Sequence, residues 1–117
     1  MKIRIDPLDK LFSEYIRLRD KVCQRCFSPT NSIVCMHFHG RSSKSVRWDE
    51  DNACGGCMGC HSYLDGHPVE KVEFFLKRLG QERFDALDGR RRITWPKPDK
   101  KLLTIYLQQK IKELSHE

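Results

Sequence analysis

The chain has 117 residues and a formal net charge of +6, with 22 lysines and arginines against 16 acidic residues. A chain of this length folds as a single domain with a small core, so a structural metal is a common source of additional stability. The positive charge favours a polyanionic partner, although a basic surface that only keeps the protein soluble explains it equally well.

The sequence shows neither a secretory signal nor a membrane span. The N-terminus reads Met-Lys-Ile-Arg-Ile-Asp-Pro and contains no apolar segment. No other run approaches the ~20 apolar residues that cross a bilayer. We therefore expect a cytoplasmic protein that does not contact membranes. Its six cysteines are better candidates for metal ligands than for disulfides, because intracellular compartments keep thiols reduced.

The first predicted element is a helix over residues 7–20. Asp6 can cap it, with Pro7 at its first position. Apolar residues recur at helical spacing on one face, at Leu8, Leu11, Phe12, Tyr15 and Ile16. The opposite face carries Lys10, Arg17 and Arg19. Such a face is ordinarily a solvated surface, with a DNA-facing surface as the alternative.

Two Cys-x-x-Cys pairs form the two halves of a candidate zinc site. Cys23 and Cys26 directly follow the first helix, and Cys57 and Cys60 come later; thiolates at this spacing are typical zinc ligands. A redox pair is the alternative for Cys23 and Cys26, but no βαβ pattern surrounds them. Cys54 stands three residues before Cys57, so the spacing alone leaves two choices for the second pair.

A β-hairpin is predicted between the two cysteine pairs. Residues 33–38 are rich in apolar and β-branched side chains, which is typical of a strand. Residues 40–44 are predicted to form a loop, residues 45–48 the second strand, and residues 49–52 a turn into the second cysteine pair. A hairpin between two zinc half-sites fits a treble-clef-like knuckle.

The next segment is predicted to be helical. Residues 60–65 form a short helix that ends at Gly66, and residues 68–88 form an extension of two helices separated by Gly80. The side chains expected to face the core are Val69, Val72, Phe75, Leu76, Leu79, Phe84 and Leu87. We interpret His67 as the residue that begins the extension rather than as a ligand.

The C-terminal segment contains a predicted turn, a linker and a last helix. Asp88-Gly89 forms the turn before the basic triplet Arg90-Arg91-Arg92, and Trp95-Pro96-Lys97-Pro98 is an extended linker that a helix cannot cross. Asp99 can cap a helix over residues 99–115. Its apolar stripe consists of Leu103, Tyr106, Leu107, Ile111 and Leu114. That stripe must pack against this domain, a second copy or a larger complex.

Several residues within residues 23–64 follow one another at the offsets of a nuclease motif. His37 ends an apolar run, Asn52 follows fifteen residues later, and a Cys-x-x-Cys-His begins five residues beyond it. This order resembles the HNH nucleases, also called ββα-metal or His-Me finger enzymes. The closer resemblance is to phage recombination nucleases of the NinG (Rap) type, through His37-Phe38, Arg41, Arg47-Trp48-Asp49, Asn52, Cys57, Cys60 and His61.

The resemblance implies a metal-dependent DNA endonuclease that hydrolyses phosphodiester bonds in phage or prophage recombination. It assigns the general base to His37, and a neutral imidazole can take a proton from water near neutral pH. It gives Asn52 the role of orienting the loop that holds the base. It gives His61 a contact with a catalytic divalent cation, Mg²⁺ or alternatively Mn²⁺.

The resemblance also implies a choice among the cysteines. It selects Cys57 and Cys60 to complete a structural zinc site with Cys23 and Cys26. The other two cysteines are Cys35 and Cys54, expected to be buried free thiols. The predicted fold is therefore α+β, with a zinc-stabilised treble-clef or ββα-metal core over residues 23–64 and flanking helices, in a single domain over residues 1–117.

The predicted DNA contacts are arginines. Arg41 and Arg47 suit a phosphate as bidentate donors, and an ion pair with Asp49 or Glu50 is the alternative for either one. The remaining predicted contacts are Arg90, Arg91 and Arg92 of the basic triplet.

One residue departs from the commonest HNH pattern. Many members place an acidic or histidine ligand directly before the base, and here that position is Met36, a poor ligand for a hard cation. His39 or Asp49 is the candidate replacement; in a strand, His39 and His37 would point to the same face. Met36 favours an alternative function, a zinc-stabilised DNA-binding module without catalysis. A third possibility is an interaction protein that uses its last helix.

Overall fold

The protein is described by a computed structural model that covers residues 5–29 and 32–116. Five helices surround one small antiparallel hairpin. The helices are α1 (Pro7–Asp20), α2 (Met58–Asp65), α3 (Pro68–Leu79), α4 (Gln81–Arg92) and α5 (Lys100–Ser115), and the strands are β1 (Val34–His37) and β2 (Ala53–Gly56). Two short 3₁₀ helices, Lys44–Val46 and Glu50–Asn52, lie between the strands. Within these ranges, no helix is long and apolar enough to span a bilayer.

Helix α1 has the predicted bounds and cap. The Asp6 carboxylate accepts a hydrogen bond from the Leu8 amide at 2.8 Å, and Pro7 occupies the first turn. The buried face of α1 carries Leu8, Phe12, Tyr15 and Ile16. This face forms a core cluster with Ala53 of β2 and Leu107 of α5, so α1 joins the hairpin to the C-terminal helix.

Helix α5 packs against α1 of the same chain. Asp99 caps it by accepting hydrogen bonds from the Lys101 and Leu102 amides, as predicted. The side chains that pack with Leu107 against the α1 cluster are Leu103, Ile111 and Leu114. Tyr106 belongs to the predicted stripe but is 41% exposed, and its hydroxyl donates to the Glu50 carboxylate at 2.6 Å.

The second strand of the hairpin is not where the sequence pattern predicts it. β1 pairs with β2 in a register that aligns Met36 with Cys54 and His37 with Ala53, whereas residues 45–48 contain a 3₁₀ helix and a turn. The prediction of a strand there is wrong because Val46 is fully buried and its carbonyl accepts from the Asp49 amide, which curls the segment into turns.

The two faces of the hairpin pack against different helices. Met36 and Cys54 form a cluster with Leu64 of α2 and Phe75 of α3. Gly56 leaves room for Met36, because an added Cβ would meet the end of the Met36 side chain and force it to move. The opposite face lies against α1, through the cluster that contains Ala53. Met36 is therefore part of the hydrophobic core.

The end of α1 is tied to β2 by charged side chains. Arg19 donates to the carbonyls of Glu50 and Ala53 at 3.0 and 2.9 Å. The Asp20 carboxylate accepts from the Gly55 amide at 2.7 Å. The prediction that Arg19 belongs to a solvated face is wrong, because these backbone groups draw it against the sheet.

The helical extension differs from the prediction in two respects. Val69 and Val72 are 71% and 41% exposed, since α3 faces the core mainly through Phe75 and Leu79. α4 continues to Arg92 instead of ending at a turn near Asp88, so the basic triplet lies on a helix. Phe84 and Leu87 pack inward as predicted.

Candidate functional site

Four cysteines from two separate elements meet in one cluster. Cys23 and Cys26 lie in the turn after α1, Cys57 caps α2, and Cys60 lies in its first turn. Their sulfur atoms all lie within 4.8 Å of one another. A zinc ion with Zn–S bonds of about 2.3 Å places tetrahedral sulfur atoms about 3.8 Å apart, and the Sγ atoms of Cys26 and Cys57 are 3.8 Å apart. The donor set and spacing suit a structural zinc ion.

The surroundings of the cluster act differently on its thiols: they favour the thiolate of Cys23, whereas burial raises the pKa of Cys60 to about 12. Burial raises the pKa of Cys23, but backbone N–H groups of Cys26, Cys57 and Arg25 outweigh it and lower the pKa to about 6. The Arg25 guanidinium donates to Cys60 Sγ at 3.5 Å and lies 4.4 Å from the centre of the Tyr63 ring. A positive charge is therefore held beside the sulfur cluster.

The two remaining cysteines lie outside the cluster, as predicted. Cys54 is fully buried beside Met36, and Cys35 is partly buried against the α1 cluster. Burial raises the pKa of each thiol to about 12, so both are neutral. The choice of Cys57 and Cys60 over Cys54 is supported, because Cys54 is not part of the four-cysteine group.

Asn52 fixes the loop that follows β1. Its side chain is fully buried. Its amide group donates to the carbonyls of His39 and Val46, both at 3.0 Å, and its oxygen accepts from the His39 amide at 2.8 Å. These three bonds hold the start of the loop close to His37 and determine where the strand ends. Asn52 thus has the geometry of an orienting residue.

We expect Asn52→Ala to lower the free energy of unfolding by about 3 kcal/mol, because each buried backbone group left unpaired costs ~1–3 kcal/mol. Urea unfolding followed by circular dichroism measures the change. Gln108→Ala on the exposed side of α5 is the matched control and should change stability by less than about 0.5 kcal/mol. Equal stability of the two variants would contradict the orienting role.

His37 borders a small groove between β1 and α1. The groove has a volume of about 310 Å³. The other residues that line it are Asp9, Ser13, Arg17, Ile33, Val34, Cys35 and Arg41. Burial lowers the pKa of His37, the charge of Arg41 lowers it further, and a hydrogen bond to the backbone of Arg47 opposes both. Its Nε2 is buried and has no hydrogen-bond partner in the part of the chain that the structure describes.

The charged side chains of the groove differ in whether they have ion-pair partners. The Asp9 carboxylate binds the Arg47 guanidinium and accepts from Trp48 Nε1 at 2.9 Å. Burial raises the pKa of Asp9, but these bonds outweigh it and lower the pKa. Arg47 thus forms an ion pair, which was the alternative to a DNA contact, but its partner is Asp9 instead of Asp49 or Glu50. Arg41 is exposed and makes no ion pair within the described ranges.

The other predicted metal ligands do not form a complete ligand set in the part of the chain that the structure describes. His61 on α2 places Nε2 3.3 Å from an Asp65 oxygen, and Lys71 holds the other oxygen at 2.9 Å. His39 lies beyond the end of β1, so the prediction that it shares a strand face with His37 does not apply. Asp49 is bound by Arg90 at 2.6 Å.

These side chains do not supply the ligands that a hard cation needs. Among residues 5–29 and 32–116, the four cysteines are the one group of three or more potential ligands that come together. Met36 is 1% exposed in the apolar core, and the nearby carboxylates of Asp9 and Asp65 are engaged by Arg47 and Lys71. The donor set therefore does not fit a complete protein site for Mg²⁺ or Mn²⁺.

The basic triplet lies on the last turn of α4. Arg90 pairs with Asp49 and Asp51, and Arg92 lies 2.8 Å from the Asp88 carboxylate. Arg91 is 3.5 Å from the same carboxylate. The side chains of Arg90, Arg91 and Arg92 are 43%, 42% and 73% exposed, so all three reach solvent, and Arg90 alone pairs with carboxylates of another segment of the chain.

Sequence reasoning offered the Arg17 face of α1 as a DNA-facing surface but did not connect either flanking helix with His37. Asp9, Ser13 and Arg17 of α1 line the His37 groove. The positive charge of Lys71 on α3 acts on both His37 and His39. The spacing of Asp9, Ser13 and Arg17, four residues apart, places all three on one helix face and is the signal that could have identified them.

A family comparison matches residues 2–117 with the NinG family, described as the bacteriophage lambda NinG protein. No curated protein and no solved structure shows a significant match. The family match spans nearly the whole chain. The chain therefore belongs to the NinG family.

Proposed function

We propose that this protein is a DNA endonuclease of the HNH class that acts in phage recombination, with the His37 groove as its hydrolytic site. The observation that carries the proposal is the state of His37. Burial favours its neutral form, and its buried Nε2 has no partner among the described residues. An unprotonated imidazole nitrogen beside a groove with an unpaired arginine is suited to accept a proton from water.

The proposed reaction needs a base and positive charge. His37 takes a proton from water, and the water oxygen forms a bond to phosphorus as the bond to the leaving sugar oxygen breaks; that oxygen leaves with the bonding electron pair and takes a proton from solvent. Arg41 can neutralise charge on the phosphoryl oxygens. Asn52 keeps the loop between His37 and Arg41 in place through its bonds to His39 and Val46. The role of a divalent cation, implied by the resemblance, is tested by ion dependence.

A structural zinc ion in the four-cysteine cluster is part of the proposal. The cluster joins the turn after α1 to the start of α2. Zinc there would fix both ends of the segment that contains the hairpin. Zinc content of protein purified without added metal should be about one ion per chain. Fully folded protein without zinc would contradict this assignment.

The proposed base makes a prediction about pH. The neutral form of His37 is the active form, and burial lowers its pKa, so the neutral form persists to lower pH. The acidic limb of kcat/KM should therefore lie below the ordinary histidine pKa of about 6.5. A limb at or above that value would contradict a buried His37 base.

Cleavage of several DNA forms tests the proposal. The protein is incubated with labelled four-way junction, flap and linear duplex DNA, each with Mg²⁺, Mn²⁺ or a chelator. We expect cleavage of at least one form, and the comparison of the ions with the chelator shows whether a divalent cation is needed. Binding of all forms without cleavage of any would contradict the nuclease proposal.

A second candidate function is a zinc-stabilised DNA-binding module without catalysis. The specific observation in its favour is Met36, which is buried in the core at the position where many HNH members have a metal ligand. Under this function, His37→Ala would leave every DNA-dependent property of the protein unchanged.

A further inference from the structure

Arg17 and Arg41 lie around the same groove but come from different elements. Arg17 is in the last turn of α1, and Arg41 is in the loop that follows β1. Both line the groove that contains His37. Cys35 lines the same groove, and the charges of both guanidinium groups act on its thiol. The two arginines therefore face one common space next to the candidate base.

The groove has more positive than negative charge. Its carboxylate, Asp9, is already bound by Arg47 and Trp48, and both Cys35 and His37 have pKa values shifted toward their neutral forms. Arg17 makes one hydrogen bond, from Nε to the Ser13 carbonyl at 3.2 Å. Two guanidinium groups consequently remain for an anion.

Other arginines of the described ranges are engaged differently. Those that pair with a carboxylate are Arg19, Arg47, Arg78, Arg83, Arg90, Arg91 and Arg92, and Arg25 binds Cys60. Neither Arg17 nor Arg41 has an ion-pair partner in the part of the chain that the structure describes. That the two unpaired guanidinium groups share one groove indicates a site for an external anion.

We propose that Arg17 and Arg41 form a binding site for a DNA phosphodiester group at the His37 groove. Guanidinium groups from two sides can donate hydrogen bonds to the two non-bridging oxygens of one phosphate. The site would align the DNA backbone with His37. It therefore specifies how the proposed nuclease holds its substrate, and its part in cleavage rests on the proposed function. The binding step does not require catalysis.

Arg17 has one structural role that the test must separate from DNA binding. A cation in the last turn of a helix interacts favourably with the carbonyl end of the helix. Lysine keeps that interaction but loses the bidentate geometry. Arg17→Lys therefore distinguishes a helix-stabilising charge from a phosphate ligand.

The experiment measures DNA affinity as a function of salt for the parent, Arg17→Gln, Arg17→Lys, Arg41→Gln and the double glutamine variant. Fluorescence anisotropy with a labelled duplex gives the slope of log K against log salt concentration. Each lost phosphate contact should reduce the magnitude of this slope by about 0.9. Lys77→Gln is the matched control, since Lys77 is exposed on α3, which packs against the opposite hairpin face.

Each single glutamine variant is expected to reduce the magnitude of the salt slope by about 0.9. The double variant should reduce it by less than twice that amount, and Lys77→Gln should leave it unchanged. Thermal unfolding of every variant accompanies the measurement. If Arg17→Gln does not fold, the loop variant Arg41→Gln tests the same site by its slope, and Arg17→Lys, which keeps the charge, tests it by a lower affinity at an unchanged slope. Slopes of Arg17→Gln and Arg41→Gln equal to that of the control would overturn the proposal.

Cleavage by the same proteins separates this site from the proposed function. Reduced slopes in the arginine variants, together with a parent that never cleaves DNA, would support the phosphate site and contradict the nuclease. Cleavage by the parent with unchanged slopes in the arginine variants would support the nuclease and contradict the phosphate site.

Discussion

Cys57→Ser is expected to lose both bound zinc and the folded state. Cys57 supplies one of the four clustered sulfur atoms and also caps α2 by accepting from the Cys60 amide at 3.4 Å. Structural zinc sites contribute about 10–16 kcal/mol, which matches or exceeds the whole stability of a small domain, about 5–15 kcal/mol. Zinc analysis and far-ultraviolet circular dichroism measure the two losses.

Cys54→Ala is the matched control for that variant. Cys54 lies three residues earlier and is buried outside the cluster. The Cys54→Ala protein should keep its zinc and most of its helical signal. A folded Cys57→Ser protein with full zinc content would show that the four cysteines are not the ligands.

His37→Ala is expected to reduce DNA cleavage by a factor of about 10² to 10⁴, because it removes the proposed general base. The variant should keep its fold and zinc, since His37 lies outside the cysteine cluster. It should bind DNA like the parent. His116→Ala, an exposed histidine just beyond α5, controls for the loss of an imidazole and should cleave normally.

His61→Ala separates the base from a cation contact. If His61 helps to hold a divalent cation, raising the ion concentration should recover part of the lost activity. No such recovery is expected for His37→Ala. Full cleavage by a folded His37→Ala protein would remove His37 from the mechanism and make His39 the candidate base.

The local elements of the fold could be predicted because their signals are local. Asp6-Pro7 and Asp99 begin α1 and α5 where the capping pattern predicts, and Gly80 separates α3 from α4. The cysteine pairs come together because two thiolates at a two-residue spacing already have the geometry of half a zinc site.

The second strand could not be predicted because its pairing depends on distant contacts. Ala53–Gly56 has little strand propensity, but the side chains of Arg19 and Asp20 bind its backbone and Gly56 makes room for Met36. The sequence pattern at residues 45–48 is β-like, yet burial of Val46 and the bonds made by Asn52 determine its conformation.

In the candidate site, too, local signals could be predicted and contacts between distant elements could not. The motif predicted His37, Asn52 and the cysteines as candidates, because their order along the chain is distinctive. One wall of the groove comes from α1, whose residues are far from the motif in sequence. The carboxylate that pairs with Arg47 is Asp9, a partner that only the packing of α1 on the hairpin provides.

The most direct test of the central claim is nicking of supercoiled plasmid by the zinc-containing parent and by His37→Ala, with equal zinc content and equal DNA binding. Each protein is assayed with Mg²⁺, with Mn²⁺ and with a chelator. We predict nicking by the parent with at least one ion and a loss of about 10² or more in His37→Ala. Absence of nicking by the parent with every ion, or equal nicking by the two proteins, would contradict a hydrolytic site at His37.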